Sequence, residues 1–143
     1  MEEMREIRFR GKTKIPTEEL DELGLKHEDG WVYGYLAMHG KTPYIVGDLI
    51  EVDSECMANE FWIEVIPDTV GQYTGLRDEY DREIYEGDIV RCFGGTHWNG
   101  VYEFDSVTEI KDIRDLSDIM YSEYVEILGN KFENPELLGE DEE

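Results

Sequence analysis

The chain has 143 residues, 40% hydrophobic and 12% aromatic, with a net charge of −23 at pH 7. That length suits one domain with a real core, and the composition excludes a disordered chain in spite of the charge. No apolar run approaches the roughly 18 residues of a membrane helix, and the acidity argues against binding nucleic acid or an anionic membrane.

The charge belongs to the body of the chain. Residues 1–14 hold five bases and three acids, and residues 133–143 hold six acids and no base. Residues 15–130 hold 27 acids and 7 bases, a net of −20. Such a field attracts basic partners and also keeps a protein soluble. The N-terminal MEEMREIRFR has no apolar signal core, and Cys56 and Cys92 lack a CxxC spacing. The expectation is a cytosolic protein with both thiols reduced.

In chain order, REIRFR at 5–10 alternates as a half-buried strand, with Ile7 and Phe9 on one face and Arg8 and Arg10 on the other. TEELDELG at 17–24 predicts a short helix with Thr17 as N-cap and Gly24 as its stop. Residues 13–28 read as a loop insertion carrying that helix. WVYGYLAM at 31–38 predicts a strand buried on both faces or packed in a closed sheet, with Gly34 marking a bulge or bend. Tyr44–Val46 and Leu49–Val52 read as a hairpin through Gly47-Asp48. FWIEVI at 61–66 is a further strand, stopped by Pro67-Asp68.

The clearest grammar lies in Val70–Cys92, VGQYTGLRDEYDREIYEGDIVRC. Two apolar pieces flank a charged segment, Arg77–Arg82. Glu86-Gly87-Asp88 makes a turn that launches Ile89-Val90. Beyond it, Trp98–Phe104 predicts a strand. Ser106 and Glu109 match a capping box, and Val107, Ile110, Ile113 and Leu116 recur every three residues, which predicts a helix over about 107–118. Tyr124–Leu128 returns to strand, Gly129-Asn130 turns, and Pro135 opens a last helical turn. The acids at 139–143 form a tail.

Motifs of chemistry are weak. Asp78, Glu79, Asp81, Glu83, Glu86 and Asp88 crowd one stretch, but an EF-hand counted from Asp78 places Glu83 where glycine is required, so a solvated acidic loop is the better reading. His27, His39 and His97 have no ligand spacing. Cys92 ends an apolar strand, where a buried inert thiol is the common case. Gly94-Gly95-Thr96 lacks the Walker ending and reads as a flexible turn. Trp31, Tyr33 and Tyr35 share a strand face that could stack bases but reads better as core, and Trp62 and Trp98 carry the same ambiguity. No catalytic residue, cofactor or metal site is expected.

The string VGQYTGLRDEYDREIYEGDIV resembles the YopX-like family of bacteriophage and prophage proteins. Arg5–Lys12, Trp31–Leu36 and Val125–Leu138 (VEILGNKFENPELL) extend the resemblance along the chain. Tyr80-Asp81 stands where the family usually has an Asn-Gly turn, which implies a wider or differently shaped loop. The resemblance implies a mostly β, β-rich α+β fold of short bent strands around a barrel-like core, with one or two short helices, as a single domain over 1–138. It implies an accessory protein with no established activity to carry over. Gly71, Gln72, Tyr73, Gly75, Tyr85, Gly87 and Asp88 form its motif, as a contact surface or as architecture. The expected role is a protein-interaction module in the host cytoplasm, binding a host or phage protein or a second copy. The alternative is an acidic decoy for a DNA-binding protein.

Overall fold

A computed structural model describes residues 6–52, 57–96, 102–114, 116, 122 and 124–138. The described chain is mostly β, and it divides into two compact units, Met1–Gln72 and Tyr73–Glu143. The expected acidic tail at 139–143, the start of the Trp98 strand, His97 and Cys56 lie outside the described residues. The described strands form open antiparallel sheets and close no barrel.

The first unit begins with β1 (Phe9–Lys12), α1 (Thr17–Glu22), β2 (Trp31–His39) and β3 (Thr42–Val46). It continues with β4 (Leu49–Val52), β5 (Met57–Asn59) and β6 (Trp62–Glu64). Its main sheet runs β6-β3-β2-β1, while β4 and β5 pair separately. The chain leaves this unit along β7 (Gly71–Arg77), whose first residues Gly71 and Gln72 pair with Arg10 and Phe9.

Several expectations change here. The first strand starts at Phe9, not Arg5, and Ile7 is exposed. Arg10 is buried, its guanidinium 4.7 Å above the Trp31 ring. The ring gives the cation an apolar yet electron-rich surface, so Arg10 is covered although it stands on the face opposite Phe9, Gly11 and the Val32 core. Pro16, not Thr17, caps α1, and no side chain caps it. The helix does stop at Gly24. Gly24 N donates to Asp21 O and Leu25 N to Leu20 O, which satisfies the last carbonyls in a Schellman arrangement. Leu20 is fully buried among Val32, Ile45, Ile63 and Val65, whereas Leu23 is exposed.

β2 is not buried throughout. Its first half pairs with β1 and its second half with β3, and Tyr35, Met38 and His39 are exposed. Gly34 sits where the partner changes, with no bulge in the register. A Cβ there would run into the carbonyl oxygen of Val46, so close backbone approach is what this position requires. The expected hairpin through Gly47-Asp48 does not form. β3 pairs with β2 and β6, and β4 turns away to β5, because Gly47 N and Asp48 O bond the residues entering β6, Phe61 and Glu60.

The second unit contains the rest of β7, then β8 (Glu83–Tyr85), β9 (Asp88–Thr96), β10 (Tyr102–Glu109) and β11 (Tyr124–Asn130). Its three-stranded sheet runs β10-β9-β11. The core beneath it gathers Ile84, Val90, Cys92, Ile110, Leu116 and Val125. The Cys92 thiol is fully buried, as expected of an inert one.

The helix expected over 107–118 is overturned at its start. Ser106–Glu109 are strand, paired with Cys92, Arg91, Val90 and Ile89. Val107 and Thr108 are β-branched, and pairing against the buried β9 outweighs the local capping pattern. Residues 115 and 117–118 of that helix lie outside the described set. Gly94-Gly95-Thr96 is no turn but the end of β9, opposite Phe104, Glu103 and Tyr102. Gly129 and Asn130 belong to β11 after a register shift, and the chain turns at 131–133. Asn130 Oδ1 then accepts from Phe132 and Glu133 N, and Pro135–Leu138 form a 3-10 turn.

Candidate contact surfaces

The sequence motif is divided between the two units. Gly71 and Gln72 start β7 in the first, on the edge of β1. In the second, Tyr73 faces Tyr85 with ring centroids 5.4 Å apart, and both are buried. Tyr85 OH donates to Glu83 Oε1 at 2.9 Å. Gly75 has φ +89, within a stretch of β7 where the register to β8 shifts.

Gly87 has φ +96 and holds the turn into β9. Its N–H donates to Ile110 O, and its carbonyl accepts from Lys131 N. Asp88 is buried, and its Oδ2 accepts from Tyr85 N at 2.8 Å. Tyr73 and Tyr85 thus join β7 to β8, and Gly87 and Asp88 link the turn into β9 with β8 and with the residues that follow β10 and β11.

The acidic loop is only partly solvated. Glu79 and Asp81 are exposed, but Asp78 is buried, which corrects the reading of the whole segment as solvent-facing. Asp78 accepts from Tyr80 N, Arg82 N and Arg82 Nε, each at 2.9 Å, and from Ile127 N at 3.0 Å. Arg82 Nη2 also lies 2.7 Å from its carboxylate. Burial alone would raise the Asp78 pKa, but the donors Ile127, Arg82 and Tyr80 overcome it and hold the carboxyl below its ordinary value. The loop spans five residues between Arg77 and Glu83, with Asp81 at φ +66, so it is wider than an Asn-Gly turn.

Two sheet faces carry exposed aromatics. In the second unit, Phe93 and Tyr124 are cross-strand neighbours with centroids 4.5 Å apart. Arg91 lies 5.4 Å from the Phe93 ring, and Tyr80 OH is 3.5 Å from Tyr124 OH. That contact, burial and the Glu126 carboxylate push the Tyr124 phenol above its ordinary pKa. These rings are already engaged with one another.

The first unit is more open. Tyr35, Val46 and Trp62 form one cross-strand row, and Ala37, Tyr44 and Glu64 the next, all on one face of β2, β3 and β6. Trp62 is 69% exposed and Tyr35 45%. Tyr44 and Trp62 stand 5.5 Å apart between centroids, tilted by 58°. Leu36, Ile45 and Ile63 take the opposite face. The core reading therefore holds for Trp31, which is 5% exposed, and fails for Tyr35 and Trp62. Strand alternation carried the missed signal: Ile63 and Val65 point inward, so Trp62 and Glu64 must point outward.

A cleft of about 200 Å³ opens beside this face, lined by Arg8, Tyr33, Tyr35, Asp48, Glu60 and Phe61 among others. It is smaller than the roughly 300–1,000 Å³ usual for small-molecule sites. Among the described residues no three His, Cys, Asp or Glu side chains converge as a metal site, and no helix is long and apolar enough to cross a membrane.

The model of the YopX protein family matches residues 37–139. The chain belongs to the YopX family. The match takes in the VGQYTGL and EIYEGDIV blocks and the VEILGNKF ending, while Arg5–Lys12 and Trp31–Leu36 lie before it. No curated protein matches the chain.

Proposed function

We propose that this YopX-family protein is a protein-interaction module without catalytic activity, an accessory protein of a phage or prophage acting in the host cytoplasm. Trp62 carries the reading. A tryptophan left 69% exposed, with Tyr44 and Tyr35 on the same face, is the composition of an interface centre. The small cleft and the inward use of the Asp78 and Asp88 carboxylates also support binding rather than chemistry. A barrel-like core belongs to the same proposal, supported by the change of partner along β2 at Gly34.

The test is capture of partners from a bacterial lysate by the tagged protein and by Trp62→Ala, at low and high salt. A dominant partner that survives high salt and is lost with Trp62→Ala supports the module. Capture that ignores Trp62→Ala contradicts it.

The body charge of −20 favours a second reading, the acidic decoy. A decoy needs carboxylates arrayed outward along one face. Its capture of a DNA-binding protein would collapse at high salt and ignore Trp62.

A further inference from the structure

β6 ends the sheet of the first unit, and its backbone directions follow from the ladder. Phe61 O accepts from Gly47 N at 2.9 Å, and Val65 N donates to Pro43 O at 3.2 Å. Hydrogen-bonded and non-hydrogen-bonded pairs alternate along antiparallel strands, so residues 61, 63 and 65 turn their polar groups to β3. Trp62 and Glu64 therefore turn their N–H and C=O groups away, to a side where no described strand pairs. Both residues are exposed. Four backbone groups thus lie in line beside the exposed Trp62 ring.

We propose that this edge accepts an extended, basic segment of another protein as an added strand. The proposal rests on the interaction-module reading and names its partner class. Main-chain bonds to Trp62 and Glu64 would hold the segment, and its outward side chains would lie over Trp62 and along Glu64. The sign of the charge selects the partner. Glu60, Glu64 and Asp68 flank the edge with no base between Asn59 and Val70, while a second copy would bring another net charge of −23. The edge is short and its one charge is Glu64, which would repel an acidic strand and attract a basic one; no lysine, proline or bulge lies on Trp62–Glu64.

The test uses the full chain and a labelled, end-blocked peptide of about eight alternating lysines and valines, with a glutamate–valine peptide as control. The lysine peptide should bind and slow hydrogen exchange at the Trp62 and Glu64 amides, leaving Ile63 unchanged. Glu64→Pro removes an outward N–H without touching the β3 ladder, and should weaken binding about tenfold or more. Glu64→Lys keeps the backbone and should shift preference towards the control peptide, so the test stands even if the proline variant does not fold.

Absence of lysine-peptide binding, or binding with both amides exchanging as before, overturns the proposal. Trp62-dependent capture of a protein, unaffected by Glu64→Pro, would remove strand addition and leave the module standing. Amide protection without any Trp62-dependent partner would do the reverse. A dimer by light scattering that Glu64→Pro dissolves would assign the edge to a second copy and overturn the basic occupant.

Discussion

The N–H of Ile127 donates to Asp78 Oδ2 at 3.0 Å, joining residues 49 apart in sequence. Arg82 repeats the link, with its guanidinium on Asp78 and on Ile127 O at 2.9 Å. One buried carboxylate thus fastens the β7–β8 loop to β11. Asp78→Ala leaves these donors unmatched and should lower stability by about 2–4 kcal/mol.

The same bonds set a pH dependence. Because the folded pKa of Asp78 lies below its unfolded value, its stabilisation is present above the unfolded value near pH 4. It is lost as pH falls through the lower folded value. Acid unfolding of the protein and of Asp78→Asn should show a stability gap at pH 7 that narrows below about pH 4. A gap independent of pH would contradict this account.

Leu20 is fully buried in the first unit, and Leu23, on the same short helix, is exposed. Leu20→Ala should cost about 2–5 kcal/mol, and Leu23→Ala no more than about 0.5 kcal/mol. Denaturant midpoints of the two variants check the contrast.

Gly34→Ala should be more damaging than a one-carbon change suggests. The new methyl meets the Val46 carbonyl, which cannot move without disturbing β3. A loss of about 1–3 kcal/mol is expected, read as a lowered thermal midpoint.

What the sequence discloses depends on whether a signal is local. The Glu86-Gly87-Asp88 turn and the Gly24 stop are legible because Gly and Asp act on their own backbone. The segment at 106–109 carries a local helix signature, yet its conformation is decided by Cys92, Arg91, Val90 and Ile89 on another strand. Asp78 reads as one acid among many, since its donor Ile127 is remote in sequence. Exposure of Trp62 follows from alternation with Ile63 and Val65, whereas bulky aromatics by themselves suggest core. That β6 forms a sheet edge is a matter of topology that no short window contains.

Trp62→Ala is the decisive variant, read by its affinity for the captured partner and by its thermal unfolding. The variant should lose about 2 kcal/mol or more in binding, roughly thirtyfold in Kd, with an unfolding midpoint close to that of the parent. Unchanged affinity in a folded variant would contradict the interaction-module reading.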